Sequence, residues 1–271
     1  MNQAVAKHAD RSREELDRIS GLACDLLARA RALGASQAEA SVNLDRGLAV
    51  NVRLGEVETI EHTRDRSLGL TVYFGKRRGS ASTGDFSPAS LEATVAQACA
   101  IARYTEEDPA AGLADPERMA TDLREFDTWH PWEIEADEAV ALALACETAG
   151  RDADPLIDNS EGASVNSGQS LSVYANSHGF VGAERASHHS LSCSLIAGKG
   201  AAMQRDYWYT SALAREDLEP AALVGRRAAE RAVARLSPRT VPTGQYPVLF
   251  AAEVARSLFG HLLSAVSGGA L

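Results

Sequence analysis

Histidine and cysteine side chains come closest together in this chain at His188, His189 and Cys193, where imidazole and thiolate groups could bind a metal ion. The surrounding residues alternate between polar and apolar, as in a strand, on which adjacent side chains face opposite sides. His189 and Cys193 would share a face but lie about 13 Å apart, at about 3.3 Å per residue. We therefore expect one packed and one solvated histidine here, and no metal site.

The second candidate is an aromatic cluster, Tyr207-Trp208-Tyr209, in a chain with only 6% aromatic residues. Strand alternation places Tyr207 and Tyr209 on one face and Trp208 on the other. Large aromatic side chains often anchor interfaces, and an extended peptide can bind by adding a strand to a sheet. The cluster is the predicted contact for a substrate or an interface, with packing in the core as the alternative.

Two further segments have the composition, but not the spacing, of a catalytic or nucleotide site. Asn176-Ser177-His178 places a hydroxyl beside an imidazole, but adjacent residues rarely act as nucleophile and base, and no Gly-x-Ser-x-Gly elbow is present. Gly198-Lys199-Gly200 lacks the third glycine of a dinucleotide loop. We expect a tight turn at the first segment and no nucleotide site at the second.

The elements that carry these residues follow a similar plan twice. Helical periodicity extends over about 12–34, starting at the capping-box pattern Ser12-Arg13-Glu14-Glu15, and over 88–103, 137–150 and 216–236. Alternating segments predict strands at 38–42, 48–52, 57–62, 67–74, 170–176, 180–186, 187–197 and 207–212. Asp45-Arg46-Gly47 is interpreted as a hairpin turn. Consecutive strands flanked by helices favour an α+β class with mainly antiparallel sheets over a parallel doubly wound sheet.

These patterns divide the chain into four segments. They are an N-terminal α+β domain at 1–110, a linker at 111–131, a second α+β domain at 132–238 and the start of a third domain at 239–271. In the last segment, Tyr246–Phe250 has the composition of a strand, and a helical pattern follows it. One strand and one helix cannot bury a core. We therefore expect the chain to be a fragment of a longer protein, or its last element to dock on a partner.

Composition excludes several classes of function. With 45% hydrophobic residues and a formal net charge of -10, the chain has the composition of a globular protein that does not bind nucleic acid directly. No segment is apolar enough to span a bilayer, and the N-terminus lacks the apolar core of a signal peptide. The cysteines are widely spaced without a CxxC pair, which indicates buried free thiols in a reducing compartment. We expect a cytoplasmic protein.

Three short segments, with the entry to the third domain, carry a resemblance to a known family. They are Asp158-Asn-Ser-Glu-Gly-Ala163, Ala175-Asn-Ser-His-Gly-Phe180 and Met203-Gln-Arg-Asp-Tyr-Trp-Tyr209. In order and spacing they resemble the signatures of the TldD/PmbA family, specifically of its PmbA (TldE) branch. The resemblance extends over essentially the whole chain, and it implies a link to heterodimeric zinc peptidases.

In the TldD branch, the resemblance implies a His-Glu-x-x-x-His zinc motif on the helix of the third domain. The matching positions in this chain are Ala252, Glu253 and Ser257. A methyl group cannot bind zinc, and a serine hydroxyl is a poor replacement for an imidazole nitrogen at about 2.0–2.1 Å. Glu253 is retained, but the helix dipole alone favours a glutamate in a first turn. The expectation is no catalytic residue and no metal site in this chain, with zinc in a TldD-like partner.

Three hypotheses for the function follow. The first is a non-catalytic PmbA-like subunit that pairs with a TldD-like zinc subunit acting on peptides or unfolded segments; the family background adds peptide maturation and antitoxin degradation. The second is that the full-length protein is itself a metallopeptidase whose ligands lie beyond residue 271. The third is a stand-alone binding or scaffold protein, including a role as a modulator of DNA gyrase. Zinc content separates the first two hypotheses, and co-purification with a TldD-like protein tests the third.

Overall fold

The structure is a computed structural model that describes residues 3–268, with side chains from residue 11 onward. The chain divides after Leu236 into a first and a second unit. The helices are α1 (Gln3–Ala32), α2 (Pro88–Tyr104), α3 (Ala136–Arg151), α4 (Ala221–Ala234) and α5 (Ala252–Ala265). The strands are β1 (Gln37–Arg53), β2 (Glu56–Phe74), β3 (Arg77–Thr83), β4 (Ile157–Asn176), β5 (Val181–Ala197) and β6 (Gln204–Ala212). All these elements except α5 belong to the first unit.

The first unit is built around one six-stranded sheet in the order β3-β2-β1-β4-β5-β6. Every neighbouring pair of strands is antiparallel, so the α+β prediction is confirmed and a parallel doubly wound sheet is excluded. The elements α1 to α2 form what we call the first half, and α3 to α4 the second half. Each half has the order helix, three strands, helix.

The two halves share this sheet, whereas the sequence predicted a separate sheet in each. β1 pairs with β4 at the centre, where Gly47 lies opposite Gly168, and an approximate two-fold axis at this point relates the halves. Alone, each half would leave the inner edge of β1 or β4 unpaired, and the β1–β4 ladder satisfies both edges. This pairing joins residues far apart in the chain, so no local pattern indicated it.

Two hydrophobic cores lie on the same face of the sheet, because alternate residues of β1 contribute to both. Ala40 and Val42 pack in the first core with α1 and α2, and Val50 and Val52 pack in the second core with α3 and α4. The remaining residues of each strand face the other way. We call that surface, on which none of α1 to α4 packs, the open face.

Asp45-Arg46-Gly47 is not a hairpin turn, contrary to the prediction. It lies in the middle of β1, which continues from Gln37 to Arg53. Gly47 permits a close approach of the central strands, since a Cβ there would lie 3.2 Å from the carbonyl oxygen of Ser167. The polar interruption marks the gap between the two cores, where β1 crosses from one to the other. In the same way β2 and β5 are single long strands, and each joins two predicted ones.

The β1–β2 turn is instead formed by Leu54 and Gly55, whose φ angles are 53° and 84°. Two consecutive left-handed residues are typical of a type I′ hairpin turn, which twists in the same sense as the strands. Glu147 of α3 is 1% exposed. Its carboxylate accepts hydrogen bonds from the backbone N–H groups of Leu54 at 2.7 Å and Gly55 at 2.9 Å. The second half thus holds the hairpin of the first half in place.

The helix starts differ in how well the sequence predicted them. α2 begins as expected, with Pro88 in its first turn and the Ser87 hydroxyl accepting from the N–H of Ser90 at 3.4 Å. α1 begins at Gln3, so the predicted capping box at Ser12 is wrong. Ser12 lies inside the helix, and its hydroxyl accepts a hydrogen bond from Arg185 of β5 at 3.1 Å.

In the second unit, α5 is the only regular element of the described residues, and the strand predicted at Tyr246–Phe250 is absent from them. A strand needs a neighbour with which to pair its backbone, and this unit contains no other strand up to residue 268. The segment is exposed, and Leu249 has 97% of its surface accessible. Composition alone therefore misassigned an apolar run as a strand.

Candidate functional site

The positions that match a zinc motif lie at the start of α5. Ala252 is its first residue, Glu253 lies in its first turn, and the hydroxyl of Ser257 donates to the carbonyl of Val254 at 2.7 Å. Residues five apart on a regular helix are rotated by about 140° and displaced by about 7.5 Å along the axis. A methyl group and a hydroxyl that point in different directions do not form a zinc-binding set. The residues present do not fit the metal.

The rest of the described chain offers no replacement for this set of ligands. Among residues 11–268, whose side chains the structure describes, no three His, Cys, Asp or Glu residues are grouped so that they could hold a metal ion. His188 and His189 face opposite sides of β5, as expected. His188 contacts the hydroxyl of Ser211 at 2.8 Å on the open face, while His189 is completely buried. The prediction of one packed and one solvated histidine is confirmed.

His189 is held in the second core by contacts to both ring nitrogens. Its Nε2 lies 2.9 Å from the carbonyl oxygen of His130, and its Nδ1 lies 3.0 Å from the hydroxyl of Ser167. Because a carbonyl oxygen can only accept, Nε2 carries the proton in the neutral ring and Nδ1 accepts from Ser167. Burial lowers the pKa of His189. This histidine is a structural residue that is stable in its neutral form.

The aromatic cluster lies on β6, at one edge of the sheet. Trp208 packs against the second core, and its indole N–H donates to Glu219 at 3.2 Å. The guanidinium groups of Arg227 and Arg231 each lie 5.3 Å from the centre of its ring. Cation–π contacts of this kind stabilise packed surfaces. Trp208 therefore stabilises the packing of β6 against α4.

Tyr207 and Tyr209 lie on the open face, so the predicted alternation within the cluster is confirmed. They are 56% and 39% exposed. Their rings are stacked, with centroids 6.3 Å apart and an angle of 24° between the planes. Two aromatic surfaces with free hydroxyl ends are thus presented to solvent beside a sheet edge. A role in binding stays a prediction.

Polar side chains cover the rest of the open face. Near β2, the hydroxyls of Tyr73 and Tyr174 both donate to the carboxylate of Glu39, at 3.0 and 2.8 Å. Burial and the bond to Glu39 raise the pKa of Tyr73 to about 12, so this hydroxyl stays a donor. Near β6, Glu161 accepts from Ser194 at 2.9 Å and from Arg205 at 3.0 Å. The Arg205 contact lowers the pKa of Glu161 despite partial burial.

A shallow depression of about 410 Å³ lies over the centre of the sheet, with Ala49, Asn166, Ser170 and His188 among its lining residues. These groups offer amide, hydroxyl and imidazole hydrogen bonds along extended strands. Asn176-Ser177-His178 does not add to them, because it forms the predicted turn: the Asn176 side chain accepts from the N–H groups of His178 at 3.0 Å and Phe180 at 3.3 Å. A role of the open face in binding an extended ligand stays a prediction.

Comparison with known proteins places the chain in a family. A family model described as PmbA/TldA metallopeptidase domain 1 matches residues 38–102, and one described as the PmbA/TldA metallopeptidase central domain matches residues 129–236. The chain belongs to the PmbA/TldD family. The Metalloprotease PmbA of Escherichia coli O157:H7 is 46% identical over 234 residues, which cover 86% of this chain and 52% of the relative.

A second curated relative supports the assignment to the PmbA/TldD family. The Metalloprotease PmbA homolog of Haemophilus influenzae is 41% identical over 258 residues, which cover 95% of this chain and 56% of the relative. The chain spans about half the length of the curated relatives that it matches. No helix between residues 3 and 268 is long and apolar enough to cross a membrane.

Solved structures support the fold. A Bacteroides thetaiotaomicron protein, described as a proposed modulator of DNA gyrase, superposes with a TM-score of 0.86 at 25% identity, over 94% of this chain and 58% of that one. TldE from Thermococcus kodakarensis superposes with a TM-score of 0.67 at 17% identity, over 77% of this chain and 46% of that one. At that identity, the second match supports the fold alone.

Proposed function

We propose that this chain belongs to a non-catalytic, TldE-like subunit that pairs with a TldD-like zinc subunit, and that peptides are hydrolysed on the partner's metal. The supporting observation is the residue pair Ala252 and Ser257, at positions where the resemblance expects zinc-binding histidines. A catalytic zinc needs about three protein ligands and an open position for water. Glu253 has the chemistry of a general base, but it requires a metal-bound water on which to act.

The contribution of this chain, in our proposal, is to bind peptides or unfolded segments. Tyr207 and Tyr209 supply exposed aromatic surface on β6, and the open face supplies hydrogen-bonding groups beside them. Extended peptides are recognised by such edges through backbone hydrogen bonds, with side-chain contacts giving selectivity. Replacing both tyrosines with serine should raise the KM of the two-chain enzyme for an unfolded peptide more than it lowers kcat.

The test is to measure zinc content and peptidase activity on the full-length protein, alone and mixed with a TldD-like protein. The expected result is no stoichiometric zinc and no turnover for the protein alone, with both present in a one-to-one mixture. Glu253→Gln should leave the activity of the mixture unchanged, whereas the same change in the partner's motif should abolish it. Stoichiometric zinc and turnover in the lone protein would overturn the proposal.

The names of the relatives favour a second candidate. Both curated relatives quoted above are called metalloproteases, and this chain spans about half of their length. A protein with metal ligands in the remaining half would be a metallopeptidase by itself. The zinc measurement on the lone protein decides between the two candidates. A full-length protein that never co-purifies with a TldD-like chain would instead indicate a stand-alone binding or scaffold protein.

A further inference from the structure

Among residues 3–236, no strand neighbours the outer edge of β2 over its first part. β1 pairs with β2 along nearly its whole length on the inner side, but β3 pairs only with residues 68–74 on the outer side. Every side chain from 56 to 67 is exposed, and these include Val57 at 44% and Ile60 at 45%. We call residues 56–66 the free edge.

Backbone groups along the free edge point outward at alternate residues. The carbonyl of Tyr73 points inward, since it accepts from the N–H of Ser36, just before β1, at 2.8 Å. The carbonyl of Arg66 points outward, because it lies 3.3 Å from where a Cβ of Gly84, just after β3, would be. In an antiparallel strand the direction alternates from residue to residue. Ile60, His62 and Arg64 therefore direct their N–H and C=O groups outward as Arg66 does.

The equivalent edge of the second half is covered by an extended segment. Gly47 and Gly168 are equivalent positions in the two halves, so their partners on the next strands, Thr63 and His188, are equivalent too. Counting back along β2 and β5, His62 is then equivalent to Ser187 and Ile60 to Arg185. At that edge Thr128 of the linker accepts from the N–H of Ser187 at 2.8 Å and donates through its hydroxyl to the carbonyl of Arg185 at 2.7 Å. The fold therefore uses an extended segment to close one of two equivalent edges.

The charge pattern of the free edge indicates which kind of partner strand it could bind. Glu56, Glu58 and Glu61 make its first part acidic, whereas Arg64 and Arg66, with Asp65 between them, give its last part a net positive charge. An acidic or a basic peptide would complement only one of these parts. A second copy, antiparallel about a two-fold axis at Ile60, places Glu56 of each copy opposite Arg64 of the other, and opposite charges across neighbouring strands stabilise the pair.

Existing contacts engage Arg66 more than Glu58. Arg66 donates to the carbonyl of Gly84 at 2.8 Å and lies over the ring of Phe86. The ion pairs of the free edge are long contacts between exposed groups, at 3.8 Å for Glu58 with Arg53 and 3.9 Å for Arg66 with Asp85. Pairs of this kind contribute little to stability. We infer that two copies of this chain associate through their free edges, so that the two sheets form one continuous sheet. The inference is independent of the proposed function, because it requires neither zinc nor a TldD-like subunit.

Charge reversal at the free edge tests this inference. Arg64→Glu with Arg66→Glu makes both parts acidic, and Glu56→Arg with Glu58→Arg makes both parts basic. Sedimentation from about 1 µM to about 1 mM should show a reversible dimer of the unmodified chain. Each double variant alone should self-associate at least about tenfold more weakly, because like charges then face each other. An equimolar mixture of the two variants should recover the dimer.

The control makes the same change in net charge as the acidic variant, at a different place in the chain. Arg118→Glu with Arg124→Glu reverses two exposed linker residues, and this variant should dimerise as the unmodified chain does. The inference is overturned if the unmodified chain stays monomeric over the whole range, if each acidic or basic variant dimerises normally, or if their mixture does not associate. A complex with a TldD-like protein that the edge variants abolish, without self-association, would also overturn it and assign the edge to that partner.

Discussion

Two equivalent edges of the sheet differ in what covers them. In the second half, Thr128 closes the edge of β5 at Arg185 and Ser187, and Trp132 packs against His189 just beyond. In the first half, no such segment among residues 3–236 covers the free edge of β2. The plan of helices and strands is the same in both halves, so it does not decide which edge is closed. The linker between α2 and α3 decides it, because it runs along the β5 edge.

The largest effect is expected from a change that tests whether the halves fold as one. In Gly225→Ala, the added methyl group would collide with the carbonyl oxygen of Cys146, where α4 packs on α3. We expect a loss of about 3 kcal/mol in the free energy of unfolding, measured with urea. Both halves should unfold in a single transition, since they share one sheet.

A matched glycine supplies the control for this variant. Gly21 lies in α1 with open space around its Cβ position, and Gly21→Ala should stabilise the chain by up to about 1 kcal/mol. If the strands of the first half stayed folded in Gly225→Ala while those of the second half unfolded, the halves would be independent. The two edges could then not be compared as parts of one cooperatively folded sheet.

Loss of Glu147 should release the hairpin that carries the free edge. Glu147→Ala leaves the N–H groups of Leu54 and Gly55 without their acceptor, and we expect a loss of about 2–3 kcal/mol on thermal or urea unfolding. Glu138→Ala on the same helix removes only an exposed contact to Arg215 and should cost less than about 0.5 kcal/mol. Equal costs for the two variants would contradict the role assigned to Glu147.

Protonation distinguishes the two edges further, because the buried His189 is equivalent to the exposed Arg64. Burial lowers the pKa of His189 in the folded state, whereas the unfolded value is about 6.5. Below that pH the unfolded chain binds more protons, so stability should fall as the pH decreases, by at most about 1.4 kcal/mol per unit. Carboxylates with lowered pKa, such as Asp206, lose their contribution only at more acidic pH.

Unfolding measured between pH 7 and pH 5 checks this prediction. His189→Gln should flatten the pH dependence in that range, and Arg64→Gln, at the equivalent position, should leave it in place. A slope unchanged by His189→Gln would show that another group is responsible.

The smallest effect is expected where the linker is attached. The Ser187 hydroxyl accepts from the N–H of His130 at 2.8 Å and donates to the carbonyl of Leu213 at 2.9 Å. Ser187→Ala should cost about 1 kcal/mol and speed hydrogen exchange of the residue 187 amide, because Thr128 is held less firmly. Ser190→Ala on the open face of β5 should change neither quantity. Unchanged exchange in Ser187→Ala would mean that the linker does not close this edge.

Local patterns predicted the elements better than their assembly. α2 and α3 lie within about one residue of the predicted 88–103 and 137–150, since helical periodicity depends only on neighbouring residues. The β1–β4 ladder depends on residues far apart, and no local signal indicated it. The turn predicted at Asp45-Arg46-Gly47 was wrong, because a gap between two cores and a turn both interrupt an apolar pattern.

Part of the candidate site could also be predicted from the sequence, because strand alternation depends only on neighbouring residues. Alternation correctly separated Trp208 from Tyr207 and Tyr209, and the positions on α5 were visible as a motif. Glu147 was missed, although an acid on the apolar side of α3, next to Cys146, was a signal for a buried carboxylate with specific partners. The free edge of β2 could not be found, since it is defined by which strands do not pair.

Residue-resolved hydrogen exchange at several protein concentrations tests the central claim most directly, because it observes both edges in one sample. The amides of Ile60, His62 and Arg64 should exchange quickly in dilute solution and become protected as concentration rises. The amide of Ser187 should be protected at every concentration. Exchange at Ile60, His62 and Arg64 that does not depend on concentration, or that is already as slow as at Ser187 in dilute solution, would contradict the account.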